Sequence, residues 1–264
     1  MHANGIVTLT TDFGLSDPYA GIMRGAVLSA NPDARVVDIT HGIRAHDIMC
    51  ASFTIAHSCD MFPDGTVHCA VVDPGVGGER KNIAVRTGRY CFVGPDNGIF
   101  GIVLAGDSAA EIREITNPAF MRAVVSNTFH GRDVFAPCAG MLSRGASFED
   151  VGPALAGVKM LVVPEPVISG DHMTGEVLSV DSFGNMVTTI TEAAFRKFVG
   201  TRPYAIYFAS ERFTSLAKNY EEIPAGTPRA IIGSGGYLEI SMSSGSAAEY
   251  FMTAAGSTVT IRRD

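Results

Sequence analysis

A change of rhythm close to residue 165 constrains this chain more than any other feature. Before it, short apolar runs alternate with segments of helical periodicity. Residues 5–10 (GIVTLT) read as a buried strand, and Tyr19, Ile22, Met23, Ala26 and Val27 follow at helical spacing. Between them, Ser16 and Asp17 are N-cap candidates, and Pro18 suits a first helical turn. Residues 35–39 (RVVDI) form a second strand-like run. His46-Asp47 open a helix through Ile48, Ala51 and Ile55, and residues 66–72 (TVHCAVV) form a third strand that ends at Asp73. Residues 82–86 and 90–93 suggest a hairpin or a continuation of the sheet, and 132–142 predict a helix through Val134, Phe135, Cys138, Met141 and Leu142. Strands alternating with helices predict a mainly parallel α/β sheet.

After Val162-Val163-Pro164-Glu165-Pro166, an extended and proline-stiffened linker, the pattern is almost wholly that of strands. They fall at 175–180, 186–190, 205–208, 229–232, 237–241 and 258–262, separated by glycines and polar turns; only 192–199 looks helical. That spacing predicts a small β-barrel. The expected fold class is therefore α/β, with an N-terminal mainly parallel α/β sheet domain over 1–163 and a C-terminal small β-barrel domain over 164–264. A chain that is 46% hydrophobic and 18% charged can fill two cores.

Charge and cysteine usage narrow the function. A net charge of −7 disfavours a broad grip on nucleic acid phosphates but does not oppose a small cationic ligand. Five cysteines without a CxxC pair argue against a disulfide framework or a structural zinc site, and they suit a reducing cytoplasm. The start, MHANGIVTLTTDFG, has no basic segment leading into an apolar run, so no secretory signal is expected. No stretch approaches the roughly 20 apolar residues of a membrane span.

In an open α/β sheet, ligands bind beyond the carboxyl ends of the strands. Four loops lie there: 11–14 (TDFG), 73–80 (DPGVGGER), 94–98 (GPDNG) and 127–133 (NTFHGRD). The Asp12 carboxylate can accept bonds from both hydroxyls of a ribose, or it can simply cap a turn. Glycines 75, 77 and 78 allow a close backbone approach to a ligand, or an ordinary tight loop. Neither GxxxxGK[ST] nor GxGxxG is present, so a phosphate cradle is poorly supported. His130 is an acid/base candidate or a structural histidine near a helix start. Arg132 and Asp133 read most simply as a surface ion pair and a first-turn charge. Gly184-Asn185, within 181–185 (DSFGN), reads as a hairpin turn.

Taken together, TDFG with Asp17, DITHGIRAHD, VVDPGVGGER, GPDNG, NTFHGRD, DSFGN, and GSGGYLEIS followed by SGSAAEY resemble the S-adenosylmethionine hydroxide adenosyltransferase family, relatives of the fluorinase and chlorinase. The motifs occur in the family's order and span nearly the whole chain. The resemblance implies an N-terminal α/β domain, a C-terminal β-barrel, and hydrolysis of S-adenosylmethionine to adenosine and methionine without metal or other cofactor. It implies Asp73, Arg80 and His130 around an attacking water. The halogenating branch has tyrosine and threonine at the positions of Asp73 and Val76, and tyrosine and serine at those of His130 and Gly131. The resemblance also implies Asp12 on the ribose hydroxyls and Asp181 on the methionine ammonium. Phe183 and Asn185 would meet the adenine, and Ser234 would lie near the methionine carboxylate. Ser243 and Ser244 would place backbone groups against the adenine edge. The arginine that follows the serine in halogenases is Gly235 here, and His46 stands where the fluorinase has tryptophan. The implied assembly is a homotrimer with its sites at subunit interfaces.

A sulfonium leaves as a neutral thioether, so the difficulty lies in the nucleophile. A guanidinium beside a carboxylate favours the charged form and weakens it as a base, so positioning and electrostatics are expected to dominate. Three other readings compete: a halide-dependent adenosyltransferase, a nucleoside hydrolase and a non-catalytic S-adenosylmethionine or adenosine sensor.

Overall fold

The computed structural model describes residues 2–107, 109–161 and 163–263, which fall into two compact units, Met1–Val162 and Val163–Asp264. Val162, in the expected linker, lies outside the described residues. No helix among the described residues is long and apolar enough to cross a membrane.

The described residues of the first unit form six strands: β1 (Ile6–Thr11), β2 (Arg35–Thr40), β3 (Val67–Val71), β4 (Asn82–Arg86), β5 (Cys91–Pro95) and β6 (Glu111–Glu114). Their order is β2-β1-β3-β5-β4-β6. The pairs β2/β1, β1/β3 and β3/β5 are parallel, whereas β4 runs antiparallel to both β5 and β6. The sheet is thus parallel across four strands, with an antiparallel edge. β6 has four residues, of which none is fully buried, and so gives no apolar run to read from sequence.

Four α-helices are found among the described residues of this unit: α1 (Tyr19–Ala30), α2 (Ile48–Ser58), α3 (Gly101–Ala105) and α4 (Ala136–Ser143). α1 buries Ala20, Met23 and Val27 on one stripe, at the spacing its sequence predicts. Its cap differs from expectation: Pro18 holds the N-cap position and no side chain caps it. α2 begins as expected, with Asp47 accepting a bond from the Cys50 N–H. The segment read as one helix from 132 begins with a π-helical turn, Gly131–Phe135, before α4 continues. α4 packs closely on α1, and a Cβ on Gly140 would stand 2.7 Å from the Val27 carbonyl oxygen. Val7, Leu9, Met23, Val27, Phe135 and Ala139 share one core on this side of the sheet. A second core with Ile55, Ile83, Phe92 and Phe100 includes α2.

The described residues of the second unit form eight strands: β7 (Val167–Ser169), β8 (His172–Val180), β9 (Met186–Thr191), β10 (Tyr204–Phe208), β11 (Glu211–Phe213), β12 (Pro228–Ile232), β13 (Tyr237–Met242) and β14 (Thr258–Arg263). They follow the order β11-β10-β14-β8-β9-β13-β12, with β7 beside β8, and every pair is antiparallel. A bridge between Ala217, just past β11, and Ile231 on β12 brings the two edges together, so the sheet is a nearly closed barrel. Met173, Val177, Ile190, Ile206, Leu238, Ile240, Val259 and Ile261 fill it, with Leu238/Ile240 and Val259/Ile261 two residues apart along their strands. The helix expected at 192–199 is α5 (Glu192–Val199), capped by Thr191, and a short α6 (Ala247–Tyr250) adds to it.

Candidate active site

The loops after β1 and β3 and the segment before α4 converge on a cavity of about 300 Å³. It is lined by Asp12, His46, Asp73 and His130 among polar groups, and by Phe13, Tyr19, Val76 and Phe129 among apolar ones. Phe13, Tyr19 and Phe129 contact one another edge-on, with ring centroids 5.4–6.0 Å apart, and form an aromatic wall.

The convergence depends on one residue without a side chain. Gly77 has φ +75°, and a Cβ there would lie 2.1 Å from the Asn127 carbonyl oxygen. Only glycine lets the DPGVGGER and NTFHGRD loops approach so closely. That approach brings His130 to Asp73 and Arg80 of the other loop. Arg80 Nε donates to both Asp73 oxygens, at 3.1 and 2.9 Å, and Nη2 donates to Asp73 Oδ2 at 2.6 Å and to His130 Nδ1 at 2.8 Å. Nη1 donates to Asn82 Oδ1 at 2.5 Å. The Arg80 and Asp73 side chains are only 5% and 4% exposed. Burial, then the Arg80 charge, push the His130 imidazole below its ordinary range, so it is neutral near pH 7. Arg80 does not line the cavity; Asp73 and His130 do, and Arg80 ties them together.

Asp12, on the loop after β1, lines the same cavity. Its Oδ2 accepts a bond from the His46 backbone N–H at 2.9 Å, and His46 has φ 68°. Behind the loop runs a chain that the sequence reading did not anticipate. Thr11 Oγ1 pairs with His41 Nδ1 at 2.7 Å, His41 Nε2 is 3.2 Å from Asp38 Oδ1, and Asp38 is paired with Arg24. The Phe13 N–H donates to Thr11 Oγ1. Thr11 is fully buried, so this Thr–His–Asp arrangement offers no nucleophile to a ligand and instead braces the loop that carries Asp12.

Asp133 stands in the first turn and pairs with Arg132, as expected, but its burial and the placement of the GPDNG loop are new. Asp133 is fully buried, where it accepts from Arg132 and from the Ser126 N–H. Burial opposes its charge, but the bonds from Arg132 and Ser126 prevail and hold it well below the usual carboxylate range. It therefore ties down the loop before His130. The GPDNG loop contributes no residue to the cavity lining. Asn97 donates to the Val72 carbonyl and Asp96 accepts from the Lys159 N–H, which fastens the end of β3 next to Asp73.

The remaining candidates lie in the second unit. Asp181 accepts from the N–H groups of Phe183 and Asn185 and from the Asn185 side chain, each at 2.9 Å. It folds its own turn and presents Phe183, 77% exposed. A Cβ on Gly184 would stand 2.1 Å from Ser246 Oγ, so glycine seats this turn on the start of α6. The Ser243-Ser244 turn leads into the same helix, with Ser244 exposed at φ 56°. Ser234 is exposed in the turn between β12 and β13.

A parallel-rich α/β unit with a polar cavity beyond its strand ends, joined in one chain to a nearly closed β-barrel, defines a two-unit ligand-binding protein. A buried carboxylate–guanidinium pair, with a half-buried imidazole bonded to it, stands at its cavity. Comparison with known proteins makes this specific. The SAM hydroxide adenosyltransferase N-terminal domain matches residues 7–152 and its C-terminal domain matches 175–260, so the chain belongs to that family. An (R)-S-adenosyl-L-methionine hydrolase of Salinispora arenicola is 36% identical over 95% of both chains. A fluorinase of Actinoplanes is 25% identical over the full length of both. An uncharacterized conserved protein from Thermotoga maritima has a solved structure with TM-score 0.90 and 35% identity, covering 98% of this chain and 100% of that one.

Proposed function

We infer that this protein hydrolyses S-adenosyl-L-methionine to adenosine and L-methionine. The observation that carries the reading is the Asp73–Arg80–Asn82–His130 cluster, which presents Asp73 and His130 to the cavity that Asp12 also lines. Relatives named for this hydrolysis are more similar to the chain than those named fluorinase. A water held at Asp73 and His130 attacks ribose C5′. The new C–O bond forms as the C5′–S bond breaks, and its electron pair leaves on sulfur as the neutral thioether of methionine. The water gives up one proton, for which Asp73 is the acceptor. Asp12 takes the ribose hydroxyls, and the aromatic wall keeps bulk water from the reacting carbon.

Arg80 acts by position, since four of its five N–H groups have partners in the cluster. In the second unit, Asp181, Phe183, Asn185, Ser234, Ser243 and Ser244 are the proposed contacts for the methionine and adenine ends. The proposed working form is a cytoplasmic homotrimer, without nucleic acid or cofactor. Incubation with S-adenosylmethionine in ¹⁸O-water tests the function: adenosine labelled at its 5′ oxygen, with methionine, is expected. An unlabelled product, or a 5′-halo-adenosine on adding halide, overturns it.

A further inference from the structure

Asn82 opens β4 and is not among the residues lining the candidate cavity, yet its Oδ1 meets two members of the cluster. It accepts from Arg80 Nη1 at 2.5 Å and stands 3.2 Å from His130 Nδ1. A guanidinium only donates, so the 2.8 Å contact from Arg80 Nη2 fixes His130 Nδ1 as an acceptor. A neutral imidazole that accepts at Nδ1 carries its proton on Nε2. Asn82 Oδ1 and His130 Nδ1 then face each other as two acceptors, a contact that turns attractive only if Nδ1 gains a proton. The amide oxygen is uncharged and already bonded to Arg80, so its pull on such a proton is weak.

We propose that Asn82 is a positioning residue of this site: its neutral Oδ1 anchors Arg80 Nη1, directs Nη2–H onto His130 Nδ1 and keeps the imidazole proton on Nε2. This rests on the cluster being a water site and deepens that reading. His130 then donates Nε2–H to the water oxygen, and Asp73 is the member of the pair able to take the water's proton. The charged groups around His130 are Arg80 and Asp73 from the DPGVGGER loop and Asp133, itself paired with Arg132, from its own turn. Phe135 adds an apolar ring 6.5 Å away.

Asn82→Asp changes charge at almost constant volume. The carboxylate beside Nδ1 should draw a proton there and raise the His130 pKa by about one unit or more. As pH rises through that new value, the remaining proton should stay on Nδ1 and the Nε2–H donor should be lost. The variant's kcat should therefore fall with rising pH across a range where the unmodified enzyme is flat, by about tenfold, with little change in KM. Two-bond ¹H–¹⁵N spectra of histidine-labelled protein, with His130 assigned through His130→Gln, read the tautomer directly. The expected result is Nε2–H in the unmodified protein and protonated Nδ1 in Asn82→Asp. Nδ1–H in the unmodified protein overturns the proposal even if the variant fails to fold, and so does an Asn82→Asp spectrum identical to the parent. Because the spectra need no turnover, the expected tautomers in a protein without hydrolase activity would overturn the function and leave the positioning intact.

Discussion

Replacing Asp73 by asparagine separates the two tasks assigned to that carboxylate. It receives three N–H contacts from Arg80, at 2.6, 2.9 and 3.1 Å, with its side chain 4% exposed. Asparagine keeps the volume but offers one accepting oxygen, so its NH₂ must face at least one guanidinium donor. Breaking a buried ion pair while leaving the partner charge in place costs about 3 to 5 kcal/mol. At roughly 2 to 4 °C per kcal/mol for a chain of this size, the thermal midpoint should drop by about 6 to 20 °C. The catalytic loss is separate. If Asp73 takes the proton of the attacking water, kcat measured well below the variant's midpoint should fall about 10²-fold or more, equivalent to roughly 2.7 kcal/mol of barrier. KM should stay within about threefold, because Asp12 and its brace are untouched. Adenosine production followed by chromatography and mass spectrometry, alongside calorimetric melting, reads both. A variant that melts early yet turns over at the parental rate would refute the catalytic role and leave Asp73 as a structural partner of Arg80. Unchanged melting would refute the buried-pair argument.

Other outcomes follow from the same structure. Asp12→Ala should weaken adenosine and S-adenosylmethionine alike by about 1.5 to 3 kcal/mol, the value of hydrogen bonds to a charged acceptor; an unchanged calorimetric affinity for adenosine in a folded variant removes Asp12 from the ribose site. His68 is 1% exposed, bonded to Thr8 through Nδ1, and burial lowers its pKa to about 4 from 6.5. Its depressed value means that the unfolded chain binds the proton first. The stability contribution is therefore complete above pH 6.5 and is lost as pH falls toward 4, by about 3 kcal/mol at 1.36 kcal/mol per unit. Urea unfolding at pH 7 and pH 4.5 should differ less in His68→Gln than in the parent, and an equal difference in both rejects the assignment. Light scattering on eluted protein should report three chains per particle, and a fully active monomer ends the homotrimer proposal.

The alternation of sheet and helix in the first unit, and the run of strands in the second, were legible because side-chain periodicity is local. Met23 and Val27 lie on one helix stripe, and Val259 and Ile261 on one strand face, wherever those elements pack. The cap of Asp47 on α2 was legible for the same reason, since it reaches only three residues along the chain. Loop position pointed to Asp12, Asp73 and His130, and the family resemblance added Arg80. Periodicity could not reveal β6, which is short and half-buried, or the bridge at Ala217 that nearly closes the barrel. Nor could it show that Asp133, in its first turn, is buried.

What tertiary structure alone decided is how the polar groups are divided among partners. Arg80 and His130 are 50 residues apart, and Thr11 and His41 are 30 apart, so no local spacing marks either pair. Each hydrogen bond has a reach of about 3 Å, so its partner is settled only when separate loops are brought together. At Gly77 that requires a backbone approach only glycine permits. The sequence by itself determined which chemical groups the protein owns and which elements carry them. The packing of those elements determined that Arg80 is spent on Asp73, Asn82 and His130, leaving the carboxylate and the imidazole to face the cavity.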